Sequence, residues 1–599
     1  MIIETPLEAK LYSQESIELS DIIKERFPKI QFVFQPKNSK GLQWLFSYSK
    51  KNRLSVIPRG AATSGIGALA PLRRSVMADL TRLNRILDLD QKKRTIVVEA
   101  GMRWRDLRLF LKRHSLDLFT YPTSLFSTVG GWLSTGGFGI NSFRYGHISS
   151  AVDSIEVLTP QSKACLDSKD RDFKYFLGTE GQMGIITKVK LKVREATASK
   201  PYLILFKARA EAIGFLSDLV KSSAACPSHI SYFDHNRLEH KNLLLSGKAS
   251  FPESEAVLVA FEGLFSEQAF LNLAAKNKGE AAEDYLTSFI WNERFFPFSV
   301  RCFYPSLLGS EVILPIHKLE NFLERIRSFG DNYHLRLSTE ASFINKNEAV
   351  VFTIFPSDPK RFPHFFHLLL TYSLARTALS CGGKPYGIGL WNLPQLKKKF
   401  SAETIKDFRR FKKEIDSANL LNPSKSFSPD LKVAHLLKIA FSISSFFSKN
   451  NHLLSPLSKI LALNHKKQKR LFPETEACSN CGACTAVCPS YLMNGSEIVT
   501  AKGKLFLLKE LLRGTALPQA CAEKIFLCLH CHLCEYVCQS KLTLIPVWEK
   551  FESIVEKSFG RPVEKIDEFI KQVDSDPACA ELLDSLSLSS NHLKGVSNV

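Results

Sequence analysis

The sequence predicts an α+β fold over residues 20–425 and an all-helical module near the C-terminus. Three observations predict this division. The chain has 599 residues, too many for one ordinary core, so we expect three or more domains. Its first 200 residues alternate apolar, strand-like runs with glycine-rich turns. Residues 478–539 instead hold two cysteine runs separated by a leucine-striped helical pattern.

The chain is strongly basic. It has 80 lysines and arginines against 59 acidic residues, a formal net charge of +21. Such an excess indicates nucleic acid, an anionic membrane surface or an acidic partner, or only a solvated basic surface. The sequence has no aromatic-interleaved basic stripe and no nucleic-acid motif, so we expect no nucleic-acid partner.

The N-terminus reads MIIETPLEAKLYSQESIELS, which has neither the basic region nor the apolar core of a signal peptide. No run of about 18 or more uncharged apolar residues occurs, so no membrane span is expected. We therefore predict a cytoplasmic protein. Peripheral contact with the inner face of a membrane stays open.

Eight of the 14 cysteines fall in two runs, CSNCGACTAVC and CLHCHLCEYVC, each with the spacing C-x-x-C-x-x-C-x-x-x-C. Three such thiolates wrap one face of an iron–sulfur cube, and the fourth reaches the neighbouring cluster. The spacing therefore predicts two [4Fe–4S] clusters with crossed ligands. The expected sets are Cys478, Cys481, Cys484 and Cys538 for the first cluster, and Cys528, Cys531, Cys534 and Cys488 for the second.

Two other interpretations of the cysteines are weaker. Disulfides are disfavoured because a cytosolic chain keeps its thiols reduced. Zinc needs only four ligands per site and does not explain the doubled spacing. The first run ends in Pro489, as ferredoxin patterns do, whereas the second ends in Gln539. We expect the six remaining cysteines to be buried apolar residues or inert thiols.

Between the cysteine runs, residues 500–514 carry a leucine stripe and end in Gly514, which predicts a helix with a defined stop. Four earlier stretches are glycine-rich or lie beside strands: SVIPRGAATS at 55–64, TIVVEAG at 95–101, YPTSLFSTVGGWLSTGGFGINSFRYG at 121–146 and LGTEGQMGIITKVKLKV at 177–193. Glycine-rich backbone of this kind lies close to a ligand.

Taken in order, these motifs resemble the FAD-linked oxidase family, which has a vanillyl-alcohol-oxidase or PCMH-type flavin fold and includes glycolate oxidase and D-lactate dehydrogenase. The cysteine region resembles the helical two-cluster ferredoxin of succinate dehydrogenase and glycolate oxidase iron–sulfur subunits. The resemblance implies a PCMH-type FAD-binding domain at 20–200, an α+β cap (substrate) domain at 201–427 and a basic amphipathic linker at 428–470. An all-helical two-cluster ferredoxin domain follows at 471–550, and a helical tail with a frayed end at 551–599.

The same resemblance implies which residues hold FAD. The pyrophosphate loop corresponds to Arg59, Gly60, Ala61, Ala62, Thr63 and Ser64. The ribityl chain and isoalloxazine correspond to Pro122, Thr123, Thr128, Gly130 and Gly131, and the adenosine to Glu180, Gly181 and Ile185. Some relatives attach FAD through a histidine in the first loop. Residues 55–64 contain none, so we expect non-covalent FAD and interpret His147 as a structural residue.

The cap keeps the frame of the family but departs from its acid–base residues. SFIWNERFFPF resembles a W-x-x-R element, which makes Arg294 the candidate for binding a substrate carboxylate. The family's G-H-x-G-D-G-N-x-H and E-H-G-I-G are replaced by YHLRLSTEASF and GGKPYGIGL. Tyr386 is then a candidate donor or base, with His334 and Glu340 as further candidates. A purely structural role for all three stays open, and oxidation without a divalent metal is expected.

Residues 432–452 carry one polar stripe on an otherwise apolar helical pattern, followed by basic residues. We expect this helix to pack the ferredoxin module against the flavin domain. A membrane-surface helix is the alternative.

The resemblance implies an FAD- and iron–sulfur-dependent dehydrogenase, rather than an oxidase, for a small carboxylate such as the 2-hydroxy acids glycolate or D-lactate. Electrons would leave through two [4Fe–4S] clusters to an acceptor protein or a quinone. Two alternatives stay open: a flavin reductase fed by the clusters, and a non-catalytic electron-transfer subunit.

Overall fold

The computed structural model describes residues 1–16, 27–222, 226–361, 363–449, 471–580 and 582–583. The basic stretch at 450–470 and the serine-rich end at 584–599, both singled out in the sequence, lie outside the described residues.

The N-terminal third contains ten strands and five α-helices among its described residues. The strands are β1 (Ile2–Ile3), β2 (Ile30–Phe34), β3 (Ser55–Arg59), β4 (Ser75–Asp79), β5 (Ile86–Asp90), β6 (Thr95–Glu99), β7 (Leu116–Leu118), β8 (Val152–Leu158), β9 (Lys163–Asp167) and β10 (Ile185–Glu195). The helices are α1 (Pro6–Tyr12), α2 (Ser39–Lys51), α3 (Trp104–Arg113), α4 (Val129–Thr135) and α5 (Ser142–Tyr145).

These strands form two sheets. In the first, of order β1-β2-β4-β3, β2, β4 and β3 run parallel, so the carboxyl ends of β3 and β4 meet at one edge. The second is antiparallel, of order β5-β6-β10-β8-β9, and β7 pairs with β10. Because β3 ends at Arg59, the predicted pyrophosphate loop begins where a buried parallel strand stops.

The cap portion is one antiparallel sheet of eight strands with helices packed on it. The strands are β11 (Ser199–Phe206), β12 (His229–Phe233), β13 (Glu255–Glu262), β14 (Glu280–Ala281), β15 (Ser306–Pro315), β16 (Ser338–Phe343), β17 (Glu348–Ser357) and β18 (Lys384–Pro385), in the order β14-β11-β13-β12-β16-β17-β15-β18. The helices are α6 (Arg209–Lys221), α7 (His235–Leu245), α8 (Glu267–Lys276), α9 (Asp284–Glu293), α10 (Leu319–Tyr333), α11 (Pro363–Ser380), α12 (Leu396–Lys399) and α13 (Ala402–Ile415).

The two faces of the cap sheet differ because strand side chains alternate. On β15, Leu308, Val312 and Leu314 enter the main core beneath α6, α8, α10 and α11. The intervening residue Glu311 points to the opposite face. Elsewhere on that face, Leu203, Phe233 and Leu258 form a second apolar core with α7 and α9.

The cysteine-bearing module is all-helical in its described residues, as predicted. After α14 (Leu431–Lys449), its helices are α15 (Glu474–Ala477), α16 (Pro489–Asn494), α17 (Ala501–Leu512), α18 (Gln519–Ile525), α19 (Leu533–Tyr536), α20 (Ile545–Phe559) and α21 (Val563–Ser575). The predicted helix after residue 500 is α17. The Thr500 side chain caps it by accepting from the Gly503 N–H, and Gly514 follows with φ of 83°.

Helix α1 joins the N-terminal sheet to this module, which the sequence analysis did not foresee. Leu7 and Leu11 belong to the same core as Leu508 and Trp548. On the rim, Lys10 Nζ lies 2.7 Å from Glu510 Oε2. The first residues of the chain are therefore part of the contact between the two portions.

Helix α14 does not have the expected place. It packs on α11 of the cap, where the Phe441 and Tyr372 rings lie 5.9 Å apart, instead of joining the ferredoxin module to the flavin domain. Its outer face exposes Leu436, Ile439 and Ile443. No helix in the described part of the chain is both long and apolar enough to cross a bilayer. Contact of the exposed face with a membrane surface stays a prediction.

Candidate flavin cleft and cluster module

A cleft of about 810 Å³ opens at the carboxyl end of β3, where the glycine-rich loops meet. The structure brings twelve of the fourteen predicted FAD residues to its wall: Arg59, Gly60, Ala61, Ala62, Thr63, Ser64, Thr128, Gly130, Gly131, Glu180, Gly181 and Ile185. The other two, Pro122 and Thr123, are not part of this wall. The loops expected to bind pyrophosphate and adenosine therefore converge with Thr128, Gly130 and Gly131 of the segment expected along the ribityl chain and isoalloxazine.

Glycine is required at two positions of the cleft because a side chain there would collide with its neighbours. A Cβ on Gly60 would lie 2.4 Å from Thr128 Oγ1, and one on Gly181 would lie 2.3 Å from the Pro58 ring. Thr128 also caps α4, because its side chain accepts from the Gly131 N–H. A narrow cradle of backbone amides beside a helix N-terminus suits a pyrophosphate, so the residues present fit FAD.

The side chain of Arg59 turns away from the cleft towards the helical module. It is fully buried and forms ion pairs with Asp79, at 3.5 Å, and with Glu497 of the helical module, at 2.6 Å. Its guanidinium is thus engaged by carboxylates, and only the backbone of the loop is left to hold a phosphate. That residues 59–64 hold the pyrophosphate stays a prediction.

Glu497 is the centre of this junction. Its second oxygen lies 3.1 Å from Lys502 Nζ, and all three side chains are at most 3% exposed. Burial alone would raise the pKa of Glu497, but Arg59 and Lys502 hold it at about 2. The carboxylate is therefore ionised and binds a cation from each side of the interface.

The pyrophosphate loop touches the first cysteine run. A Cβ on Gly482, which follows Cys481, would lie only 3.0 Å from the Ala61 carbonyl oxygen. Phe126, from the loop before α4, packs in one cluster with Cys481 and Cys531. The walls of the flavin cleft and the cysteine loops are thus in direct contact, which favours electron passage between them.

The N-terminal segment also reaches the cleft. The Glu15 carboxylate accepts from the Gly67 N–H at 2.6 Å and from the Leu69 N–H. The Ser16 hydroxyl donates to the Thr63 carbonyl at 2.7 Å. Sequence reasoning missed these residues because nothing in their local pattern marks them as part of the loop.

The eight cysteines come together as the crossed sets require. Burial, with Cys481 and Cys478 as neighbours, raises the pKa of Cys538 to about 12. Burial, with Cys528 and Cys531 as neighbours, raises the pKa of Cys488 to about 11. The last cysteine of each run is thus close to the first cysteines of the other run.

Backbone amides point at the thiols of the first set. The Asn480 N–H donates to Cys478 Sγ at 3.5 Å, the Lys502 N–H to Cys484 Sγ at 3.3 Å, and the Leu542 N–H to Cys538 Sγ at 3.4 Å. Such N–H···S bonds stabilise charged cluster sulfur. All fourteen cysteines lie in the described residues and none forms a disulfide, so the thiols are available as ligands.

Arg294 lies at the C-terminal end of α9 and reaches the N-terminal domain. Its guanidinium carbon lies 3.5 Å from the Trp291 ring centroid, and it hydrogen-bonds Tyr121. Burial lowers the pKa of Arg294 to about 10. Its Nε has no hydrogen-bond partner, and no carboxylate of the described residues forms an ion pair with it. A desolvated, unpaired cation of this kind suits an anionic ligand.

Tyr386 also spans the cap and the N-terminal domain. Its hydroxyl accepts from the Gly137 and Phe138 N–H groups, at 3.3 and 3.2 Å, and donates to the Phe138 carbonyl. Burial and nearby Glu311 raise the pKa of Tyr386 above its usual value of 10. The phenol is therefore protonated at neutral pH, which favours a donor or structural role over that of a base.

Glu311 is a candidate that the sequence analysis missed. Its side chain is exposed to solvent. The protein atoms around it nevertheless raise its pKa to about 7, an effect that Lys399 opposes. A charged residue within an alternating strand resembles an ordinary surface position. The sheet order puts β18 and Tyr386 beside β15, and only this order distinguishes Glu311 from an ordinary surface residue.

The two other predicted catalytic residues lie apart from this group. His334 is exposed at the C-cap of α10, with φ of 52°. Glu340 on β16 pairs with Arg237 at 3.0 Å. A role for either in acid–base chemistry stays a prediction without support from its surroundings.

Comparison with protein families identifies three segments. Residues 30–165 match the FAD binding domain, residues 196–426 the C-terminal domain of FAD linked oxidases, and residues 474–542 the 4Fe-4S dicluster domain. The chain thus carries the FAD binding and C-terminal domains found in FAD linked oxidases, together with a 4Fe-4S dicluster domain. It is therefore an oxidoreductase that uses FAD and two [4Fe–4S] clusters, and the expected fold and cofactors are confirmed.

Curated relatives match mainly the flavin portion. Alkyldihydroxyacetonephosphate synthase of Dictyostelium discoideum is 29% identical over 36% of this chain and 38% of its own length. Glycolate oxidase subunit GlcD of Bacillus subtilis is 22% identical over 67% of this chain and 89% of its own. The mitochondrial cytochrome-dependent D-lactate dehydrogenase of Arabidopsis thaliana is 21% identical over 66% and 73%.

A solved structure of alkyldihydroxyacetonephosphate synthase aligns with a TM-score of 0.54 and 21% identity, over 66% of this chain and 76% of that one. At this identity the likeness establishes the fold alone. The fold of the chain thus agrees with that of this solved structure over the aligned part.

The crossed ligand sets predict the outcome of losing one cysteine. The purified protein should hold about eight irons, from two four-iron clusters. Cys538→Ser should lower the content to about four by disabling the cluster of Cys478, Cys481 and Cys484. Iron and labile-sulfide analysis checks this, with Cys521→Ser, a buried cysteine outside the runs, as the control. Eight irons in Cys538→Ser, or bound zinc in the unmodified protein, would contradict it.

The junction at Glu497 predicts a coupling between the module and FAD retention. Glu497→Gln leaves Arg59 and Lys502 with only Asp79 as a buried counter-charge, and breaking such a pair costs about 3–5 kcal/mol. We expect the variant to release FAD at least about tenfold more readily, as followed by flavin fluorescence of the holoprotein.

Glu523→Gln is the matched control, because it breaks an exposed pair with Lys565 in the same module. FAD retention in Glu497→Gln equal to that of the control would contradict the coupling. Tighter binding would mean that Arg59, once released, serves the pyrophosphate directly.

Proposed function

We propose that this enzyme oxidises a small 2-hydroxy carboxylate and sends the electrons through its own clusters to an acceptor protein or a quinone. The observation that carries the proposal is the half-buried guanidinium of Arg294 beside Tyr121, which donates to the Trp291 carbonyl but forms no ion pair with a carboxylate of the described residues. A desolvated cation without a counter-ion is unfavourable unless it receives an anion, and a carboxylate matches its planar fork.

Three residues of the cap have separate roles in the proposed reaction. Arg294 binds and orients the donor carboxylate. Glu311 accepts the proton of the 2-hydroxyl group, while neutral Tyr386 becomes a hydrogen-bond donor to the oxygen once its hydroxyl turns from the Phe138 carbonyl. The donor becomes a 2-oxo acid and gives up two electrons and two protons. Bound FAD would supply the hydride acceptor for this reaction, and clusters held by the eight cysteines would supply one-electron carriers.

The relatives support the substrate class. Glycolate oxidase subunit GlcD, D-lactate dehydrogenase and D-2-hydroxyglutarate dehydrogenase are all named for 2-hydroxy acids. The half-buried Arg294 favours this proposal over a non-catalytic electron-transfer subunit, which has no need of a cation without a carboxylate partner in its cap.

An anaerobic donor screen tests the proposal. We expect one of a panel of 2-hydroxy acids, including glycolate, D-lactate and D-2-hydroxyglutarate, to bleach the flavin absorption. The matching 2-oxo acids serve as controls, since they bind similarly but cannot reduce. Bleaching by none of them would contradict the proposed function.

Replacing Arg294 tests its role in binding. Lysine keeps the charge but loses the fork that holds two carboxylate oxygens. A lost charge-assisted hydrogen bond costs on the order of 1.5–3 kcal/mol, so Arg294→Lys should lower kcat/KM roughly tenfold to a hundredfold. FAD content should not change. Steady-state kinetics with Arg361→Lys, a substitution elsewhere in the cap, as the control decides this, and an unchanged kcat/KM would contradict the assignment.

The raised pKa of Glu311 predicts a pH dependence. Only the deprotonated carboxylate accepts a proton, so kcat/KM should fall as the pH drops through about 7. Glu311→Gln should lower the rate and remove this acidic limb, because the amide does not titrate. A pH profile of the two proteins measures it. An identical acidic limb in Glu311→Gln would assign the titration to another group.

A further inference from the structure

Helix α17 contributes two buried lysines to the cluster module. Lys502 and Lys504 are each 1% exposed. Residues two apart on a helix point about 200° away from each other, so the two side chains leave the helix on opposite sides. Each therefore faces different surroundings.

Lys502 belongs to the first set of cysteines. Its N–H donates to Cys484 Sγ, and its ammonium lies near Cys478. Other charges act at this site too. Glu497 pairs with the Lys502 ammonium, and Arg301 also faces Cys478.

Lys504 belongs to the second set. Its ammonium lies 4.1 Å from the Trp548 ring centroid and has no oxygen or nitrogen hydrogen-bond partner among the described residues. Its ammonium hydrogen-bonds the Cys528 side chain, and the Trp548 ring against which it lies packs in one core with Cys528 and Cys534 of that set. The four cysteines are Cys488, Cys528, Cys531 and Cys534.

One other charged pair lies beside this set. His530 approaches Cys528, and its Nε2 lies 2.9 Å from Glu552 Oε1. His530 and Glu552 thus compensate each other, whereas the Lys504 charge is not matched by a carboxylate in the described residues. The positive charge of Lys504 therefore acts on the cysteines and on the cluster that they would hold.

We propose that Lys504 is a positioning residue that raises the reduction potential of the second cluster, and that Lys502, which shares the single Glu497 carboxylate with Arg59, acts in the same way but more weakly on the first. A cluster becomes more negative when it accepts an electron. A buried ammonium nearby therefore stabilises the reduced form, and the low local dielectric strengthens the effect. Net charge and hydrogen bonds around a cluster are recognised determinants of its potential.

The proposal deepens the proposed function, because it rests on the clusters being the exit for electrons. By stabilising an electron on the second cluster, Lys504 would draw electrons away from the flavin cleft. The first cluster, whose loop touches Ala61 at Gly482, would then be free to accept the next one.

A potentiometric titration followed by electron paramagnetic resonance tests this without any organic donor. It compares Lys504→Met, Lys502→Met and Lys504→Arg with the unmodified holoprotein, and Cys538→Ser assigns the signals to the two clusters. Lys504→Met should weaken electron retention by the second cluster at least about tenfold, or about 59 mV for one electron, and affect the first cluster less. Lys502→Met should show the reverse preference, and Lys504→Arg should stay close to the unmodified protein.

Several outcomes would overturn the proposal. Unchanged potentials in Lys504→Met with eight irons retained would do so, as would an equal shift in Lys504→Arg. Loss of the second cluster from both Lys504→Met and Lys504→Gln would mean that the lysine is needed for assembly, not tuning. Since no donor is present, none of these results depends on whether a 2-hydroxy acid is the substrate.

Discussion

The buried ion pair between Arg59 and Glu497 holds the flavin loop against the cluster module, and the arrangement of both sites depends on it. Arg59 stands at the last position of β3, directly before the loop that lines the cleft. Its partner Glu497 lies between the two cysteine runs and also binds Lys502 on α17. One carboxylate thus fixes the end of a strand and the start of the helix between the runs. With so little exposure, the pair does not exchange its partners for water without a large cost.

The same contact explains why the chain brings its two cofactor sites together instead of joining them by a loose linker. Helix α1 contributes apolar side chains to the core of the module, and Glu15 ends in the cleft. Ala61 and Gly482 then approach closely enough that any side chain at 482 would press on the loop. Electron transfer falls steeply with distance, so this contact favours passage between flavin and clusters within one chain.

The sequence predicted what depends on local spacing. The cysteine runs, the glycine loops and the helix ending at Gly514 each carry their information in a few adjacent residues, and the structure brought them to the expected places. Sequence reasoning did not find the roles that depend on a distant partner. Arg59 matched a loop pattern, yet Glu497, 438 residues away, determines where its guanidinium points. Glu311 looked like a surface residue until the strand order put it beside Tyr386, and α14 had the right pattern but a different partner.

The central claim is that electrons pass from flavin to clusters inside a single chain. Stopped-flow spectroscopy after rapid flavin photoreduction, repeated over a wide range of protein concentrations, tests it most directly. The account predicts that the clusters become reduced in a first-order step whose rate constant does not change with protein concentration. A rate proportional to protein concentration, or flavin that stays reduced beside oxidised clusters, would contradict it.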